Sequence, residues 1–240
     1  MSETEEQGHG KVPRHIAIIM DGNRRFSRKL MLKPWKGHEW GAKKIEDVLN
    51  WCKEYNITEL TLYAFSVENF NRPKKEFDFL MKLFKDNFDK LKDDKRIYEN
   101  EIRINILGRI WMFPKDVQEK MQQIMEKTKN HKKYTVNFAM AYGGRSEVVD
   151  AAKKIAEKVK EGKLDINQIN EDTFSKNLYF DHEPDLIIRT GGEKRTSNFL
   201  AWQGAYSEYF FIEKVWPEFE KEDFVMAINE YSKRQRRFGK

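Results

Sequence analysis

The stretch HIAIIMDGNRR, residues 15–25, runs an apolar segment into an aspartate, a glycine, an asparagine and two adjacent arginines. Ile16 to Met20 show no alternation of apolar and polar residues. A continuous apolar run of this length reads as a strand covered on both faces, as in a parallel sheet flanked by helices. Ligands of open α/β sheets bind beyond the carboxyl ends of the strands, so Asp21, Gly22, Asn23, Arg24 and Arg25 are delivered to that place. Asp21 is by type a hard-cation ligand, Gly22 lets backbone come close to a ligand, and the two guanidiniums suit phosphate oxygens. Together they point to a metal and a phosphate. The plain alternative is that Asp21 caps the next helix and both arginines are merely solvated.

Outward from this stretch the chain alternates. Gly37 to Tyr55 has helical spacing, with Trp40, Ile45, Val48, Leu49 and Cys52 on one stripe. Thr58 to Phe65 reads as the second strand. Pro73 suits the first turn of a helix carrying Phe77, Leu80, Met81, Phe84 and Phe88. Ile102–Leu107 follows as a strand, Pro114 opens a helix through Lys127, and Tyr134–Ala141 is the fourth strand. Ser146 reads as the cap of a helix running to Val159, and Asp172 or Thr173 starts a short one. Leu186–Ile188 and Tyr209–Ile212 are brief strands, and Glu222–Arg237 is a closing helix. Six strands separated mainly by helices predict an α/β fold: a single domain with a roughly six-stranded, mainly parallel sheet flanked by helices.

The 240 residues suffice for one large domain, taken as residues 12–240 after a polar tail at 1–11. Hydrophobic content of 39% and charged content of 35% describe a packed core with a wet exterior rather than disorder. The net charge of +6 fits either a soluble surface or attraction to phosphates and anionic lipid. Cys52 is the only cysteine, which excludes an internal disulfide and thiolate metal clusters and fits a reducing cytoplasm. No window approaches the roughly 18 apolar residues of a membrane span, so membrane contact is expected at most peripherally. Nucleic-acid recognition motifs are missing, and no nucleic-acid partner is expected.

Other strand ends carry similar chemistry. The second strand empties into Ser66-Val67-Glu68-Asn69-Phe70-Asn71-Arg72-Pro73, with an arginine just before a helix start. The fourth ends in Tyr142-Gly143-Gly144-Arg145. After the fifth come Arg189-Thr190-Gly191-Gly192 and then Arg195 and Ser197, where glycines free the backbone and the polar groups can surround one phosphate. Four strand ends of this kind predict a site holding more than one phosphate. Glu208, at the start of the last apolar run, is costly there unless paired or metal-bound. Mg²⁺ is commonly held by one or two carboxylates plus substrate phosphates, so Asp21 and Glu208 could share it. His38, after Gly37, could donate to a phosphate or simply cap its helix. Ala64, Phe65, Phe70, Ala139 and Ala141 place apolar walls beside these polar ends, which core packing explains equally well.

At these residues the chain resembles the cis-prenyltransferases, the undecaprenyl diphosphate synthase family. The matching pieces are HIAIIMDGNRRF at 15–26, GH at 37–38, LTLYAFSVENFNRP at 60–73, YGGR at 142–145, DLIIRTGGEKRTSNFLAWQGAYSEYFF at 185–211 and RRFG at 236–239. They span nearly the whole chain in family order. The resemblance implies a homodimer of parallel-sheet subunits that joins isopentenyl diphosphate repeatedly to an allylic diphosphate primer, farnesyl or geranylgeranyl diphosphate, expelling diphosphate each time. It implies that Asp21 serves Mg²⁺ and the allylic diphosphate, with Gly22, Asn23, Arg24, Arg25 and Phe26 around it and His38 and Arg72 assisting. Ser66 and Asn69 match the polar pair near the reacting centre, and Glu68 the acid beside them on a mobile loop that closes Phe70 over the substrate. Arg189, Arg195 and Ser197 match the isopentenyl diphosphate clamp, and Glu208 a second acid near the metal. Arg237 and Gly239 match a C-terminal RxG signature that reaches toward the neighbouring subunit's site. A long product would leave slowly without a membrane surface to receive it, which implies transient membrane contact by a cytoplasmic enzyme.

Asp93-Asp94 is followed by Lys95-Arg96-Ile97, so the aspartate-rich motif of the helical trans-prenyltransferases is missing. Pro34 stands where many bacterial members have arginine, Arg24 replaces a glycine, and Phe26 and Phe70 replace tryptophans. These choices are archaeal or eukaryotic in style. The alternative of a non-catalytic subunit supporting a catalytic partner conflicts with the retention of Asp21, Arg25, Arg189, Arg195 and Ser197 in one chain.

Overall fold

The first apolar run forms β1 (His15–Ile19), buried at all five positions. In the computed structural model, which describes residues 12–234, β1 lies inside the sheet. It pairs in parallel with β2 (Glu59–Ser66) on one side and with β5 (Leu186–Arg189) on the other. The full order is β3 (Ile102–Leu107), β4 (Tyr134–Tyr142), β2, β1, β5, β6 (Glu208–Phe211), with every pair parallel. The six-stranded parallel sheet is the one expected. Burial on both faces accounts for the unalternating strands.

Side chains of period two divide the core. Ile16, Ile18, Leu60 and Leu62 enter the larger cluster, covered by α2 (Gly37–Glu54), α3 (Lys74–Asp93), α5 (Lys115–Thr128) and α8 (Lys221–Lys233). Ala17 and Ile19 face the other way, against Tyr142, Phe199 and Leu200, on the side of α6 (Gly144–Lys160). Each fully buried Leu, Ile or Phe contributes roughly 1.5–3 kcal/mol, so this two-faced burial dominates stability.

Several local expectations change. Directly after β1 the alternative of a helix capped by Asp21 holds only in part, since α1 (Asn23–Lys29) forms there with Gly22 at its N-cap and no side-chain cap, and α4 (Lys95–Glu99) is a short helix that the expected element order lacks. Ser146 is not a cap: α6 begins two residues earlier, with Gly143 at its N-cap, and α7 (Glu171–Ser175) starts at Glu171 after an Asn170 cap rather than at Asp172 or Thr173. The mobile loop expected after β2 is a 3-10 helix, Val67–Asn71, running into α3.

Candidate active site

The chain turns one way after β1, toward β2, and the opposite way after β5, toward β6. The crevice between the carboxyl ends of β1 and β5 is therefore the switch point at which open α/β sheets bind ligands. Asp21 follows β1 there, and Arg189 ends β5. Arg189, only 4% exposed, donates through Nη2 to Asp21 Oδ2 at 2.9 Å and through Nη1 to Ser197 Oγ at 2.7 Å. It also donates to the Arg195 carbonyl, while its buried Nε has no hydrogen-bond partner. One planar fork thus ties β1 to the loop after β5, a role a point-charge lysine cannot fill.

Asp21 stays within reach of ligand. Its side chain is 34% exposed, and Oδ1 lies 3.6 Å from Arg25 Nη2. Its carbonyl accepts from Thr190 Oγ1 at 2.9 Å and from the Trp216 amide at 2.8 Å, which fixes the turn. Gly22 adopts φ +106°, and a Cβ there would meet Val215 at 2.5 Å, so backbone conformation and space both demand glycine. Gly191, at φ +90°, would place a Cβ 2.3 Å from Arg25 Nη2.

A second charged group stands on the α2–α3 side. Glu76, 2% exposed, accepts from Arg72 Nη1 at 2.8 Å, with His38 Nε2 and Arg24 Nε each 3.8 Å away. The imidazole and the two guanidiniums hold its carboxyl below the ordinary glutamate value, against the opposing effect of burial. Burial pushes the His38 imidazole below its ordinary value, which keeps it neutral and able to accept from Arg72 Nη1 at 3.2 Å. Glu76 therefore orients Arg72, which in turn contacts His38. The sequence reading missed it; the signal was the i, i+4 pairing of Arg72 with Glu76 across the start of α3.

Both groups meet an apolar cavity of about 560 Å³. Its polar end is lined by Asp21, Arg24, Arg25, His38, Asn69 and Arg72. Beyond them the walls are Ile45 and Leu49 of α2, Leu83, Phe84 and Phe88 of α3, and a sheet floor of Leu60, Phe138 and Met140. At the far end stand Lys53, Arg96 and Asn100. A corridor with phosphate-binding chemistry at one end suits an amphiphile with an anionic head and a hydrocarbon tail.

The remaining expected residues divide. Asn69 lines the cavity and its Oδ1 accepts from the Ser66 amide at 3.1 Å, so Ser66 and Asn69 act as a local pair. Asn198 Nδ2 reaches Glu68 at 3.5 Å and Asn198 Oδ1 accepts from the Arg145 amide at 2.8 Å, tying together the loops after β2, β4 and β5. Asn23 donates to the Met20 carbonyl at 3.2 Å, leaving its buried Oδ1 without a partner. Phe26 packs edge-on to Trp40 at 5.6 Å. Phe70 stands apart from its expected lid role: it packs against Phe65 at 5.1 Å and Phe113 at 5.4 Å, within the aromatic core. Arg195 is exposed and paired with Glu193 at 2.5 Å, its guanidinium not engaged with Arg189 or Ser197.

Glu208 is not brought to Asp21 within the chain. It opens β6 in register with Leu186, three residues or about 10 Å of strand below Arg189, and pairs with Arg234. The cost of its apolar setting is met by that ion pair. Arg237 and Gly239 lie outside the described residues.

A family model described as "Putative undecaprenyl diphosphate synthase" matches residues 19–239. The chain belongs to the undecaprenyl diphosphate synthase family. It is a cis-prenyltransferase. A relative from Thermococcus kodakarensis is 49% identical over 238 residues, covering 98% of this chain and 90% of its own, and one from Pyrococcus furiosus is 51% identical over 233 residues, covering 96% and 88%. Both are named tritrans,polycis-undecaprenyl-diphosphate synthase (geranylgeranyl-diphosphate specific). Among solved structures, lavandulyl diphosphate synthase from Lavandula x intermedia in complex with dimethylallyl diphosphate superposes with a TM-score of 0.90 at 34% identity, covering 95% of this chain and 99% of its own. A probable undecaprenyl diphosphate synthase from Campylobacter jejuni gives 0.80 at 36% identity, covering 96% and 100%.

Synthases of this family act on diphosphates, and the donor set suits a metal held jointly with one. No group of three His, Cys, Asp or Glu among the described residues could enclose an ion. Asp21 offers a single half-exposed carboxylate beside the Arg25 and Arg189 guanidiniums. Mg²⁺ retains waters and binds through one or two carboxylates plus substrate phosphates, so this set fits it once a diphosphate is present.

Proposed function

We propose that this cis-prenyltransferase extends geranylgeranyl diphosphate with successive isopentenyl diphosphate units to a long polycis-polyprenyl diphosphate, releasing one diphosphate per cycle. The observation that carries the reading is Asp21, which lines the head of the 560 Å³ apolar corridor and is joined to Ser197 by the Arg189 fork. The specificity for which the archaeal relatives are named supports geranylgeranyl diphosphate as primer.

On this reading the allylic diphosphate lies against Arg24, Arg25, Arg72 and His38, with its hydrocarbon in the corridor. Isopentenyl diphosphate lies against Arg189, Arg195 and Ser197. As the allylic carbon–oxygen bond breaks, positive charge develops on carbon and negative charge on the departing diphosphate. The isopentenyl double bond attacks that carbon, the new carbon–carbon bond forms, and the neighbouring carbon loses a proton. Arg24, Arg25 and Arg72 are already in place to receive the developing charge, and removing one such donor commonly costs about 10²–10³ in rate. Mg²⁺ held by Asp21 and the phosphates would supply further neutralisation. Ser66 and Asn69 stand beside the reacting carbons. The corridor excludes water from the cation. At roughly 0.8 kcal/mol per buried CH₂, each added isoprene gains several kcal/mol until the corridor is full.

The working enzyme on this reading is a cytoplasmic homodimer, with Arg237 and Gly239 serving the partner's site, Glu208 a second acid toward the metal only if that dimer brings it there, and a membrane surface receiving the product. A purely supporting subunit would have no use for a complete diphosphate site. Purified chain incubated with Mg²⁺, labelled isopentenyl diphosphate and either farnesyl or geranylgeranyl diphosphate tests this directly. A lipid of undecaprenyl length, formed preferentially from geranylgeranyl diphosphate, is expected. Absence of lipid from both primers overturns the activity, and preference for farnesyl diphosphate overturns the primer.

A further inference from the structure

Between α1 and α2 the chain makes a knuckle, Leu30-Met31-Leu32. Leu30 is 46% exposed, Met31 95% and Leu32 44%, the only three large apolar residues exposed in succession among the described residues. Exposed apolar residues scattered singly need no explanation, but a contiguous cluster does. The knuckle is braced: the Met31 amide donates to the Arg28 carbonyl at 3.1 Å, the Leu32 amide to the Ser27 carbonyl at 2.9 Å, and the Gly37 amide to Ser27 Oγ at 2.5 Å. Met31 holds φ +54°, a conformation uncommon for a non-glycine residue. The apolar tip is therefore presented outward by rigid backbone.

Its surroundings are strongly basic. Residues 24–44 contain eight Lys or Arg against the single acid Glu39, and Arg24, Arg25, Lys29, Lys36 and Lys44 pair with Glu76, Asp21, Glu218, Glu39 and Asp47. Arg28, Lys33 and Lys43 have no carboxylate within ion-pair distance among the described residues. Trp40, 51% exposed, lies beside the knuckle's helix against Phe26, with Lys43 Nζ 5.9 Å above its ring. An exposed apolar tip with three unpaired cations and a half-exposed tryptophan on it and its flanking helices matches an interface with apolar interior and anionic headgroups.

We propose that the Leu30-Met31-Leu32 knuckle inserts into the surface of an anionic lipid bilayer and docks the enzyme there. The site faces that surface at short range: α1 begins at Asn23 beside Asp21 and reaches the knuckle over seven residues, about 10 Å. This deepens the reading of a polyprenyl lipid product, on which it rests for its purpose.

Sedimentation of the full chain with vesicles of phosphatidylcholine, alone or mixed with phosphatidylglycerol, tests the surface without any substrate. Binding to the mixed vesicles is expected, with the triple variant L30S/M31S/L32S partitioning at least tenfold less while extending primer in detergent at the parent rate. Equal partitioning of parent and triple variant overturns the proposal, as does equal binding of the parent to both vesicle types. A change in oligomeric state of the triple variant by light scattering also overturns it, since the knuckle would then join copies of the chain. A second probe is M31C carrying an environment-sensitive thiol dye, with Cys52 buried and its thiol pushed up to about 12 and hence unreactive. A blue shift on adding anionic vesicles is expected, and an unshifted spectrum overturns insertion. Because vesicle binding needs no turnover, failure of the activity and failure of the surface are separate results.

Discussion

Arg189 Nη2 lies 2.9 Å from Asp21 Oδ2 while its Nη1 lies 2.7 Å from Ser197 Oγ, so one buried guanidinium couples the end of β1 to the loop after β5. On the proposed reading these are the two halves of the site, one for each diphosphate. Arg189→Lys keeps the charge but cannot span both partners. We expect kcat/KM for isopentenyl diphosphate to fall at least tenfold in steady-state assays. An unchanged value would mean that the fork is structural only.

Glu76 organises the other half. Glu76→Ala leaves Arg72 without its 2.8 Å partner and His38 without its nearby carboxylate. Loss of this buried acceptor is expected to destabilise by about 1–3 kcal/mol in denaturant unfolding. It should also raise KM for the allylic primer severalfold while leaving that for isopentenyl diphosphate nearly unchanged. A stability loss with both KM values unaltered would reduce Glu76 to a packing role.

The parallel sheet was legible because burial on both faces leaves a continuous apolar run, as in IAIIM and TLYAF, and because strand ends collect the chemistry. The short α1 was not, since NRRFSRK carries no apolar periodicity and forms by following directly on the β1 turn. Glu76 sits in the run KKEFD, where it reads as one more surface charge until α3 folds it beneath Arg72. Glu208 reads in the sequence as a carboxylate needing a partner, but only the fold shows that within one chain its partner is Arg234 rather than the Asp21 site. Phe70 has the type of a substrate lid, and its packing against Phe65 and Phe113 could be seen only once α3 and the segment after β3 were placed.

Stability should fall as pH drops below about 6.5. His15 is buried with Nε2 at 2.8 Å from Thr61 Oγ1, and burial lowers its pKa below the unfolded value. The unfolded chain then takes up a proton near pH 6.5 that the folded chain refuses, so the unfolded state gains as pH falls toward the depressed folded value. Glu147, raised by burial, acts in the opposite sense at lower pH. Comparing Tm between pH 7.5 and 5.5 for the parent and for His15→Gln isolates the histidine. The parent should lose more than the variant; an equal loss in both would place the effect elsewhere.

Metal binding should depend on diphosphate. With one half-exposed carboxylate and no acidic cluster among the described residues, Mg²⁺ alone should give no heat in isothermal titration at micromolar protein. Adding a non-reactive allylic thiodiphosphate analogue should make the binding measurable. Tight Mg²⁺ binding without the analogue would mean that the metal has a protein site of its own.

The most direct test is turnover by Asp21→Ala, followed as incorporation of labelled isopentenyl diphosphate onto geranylgeranyl diphosphate, with Tm measured on the same preparation. Asp21 stands beyond the strand but is the carboxylate partner of the buried Arg189, so the variant should stay folded and melt below the parent temperature while kcat falls about 10²–10³-fold. A variant that keeps more than about a tenth of the parent kcat would contradict the central claim that Asp21 is the carboxylate at the reacting diphosphate.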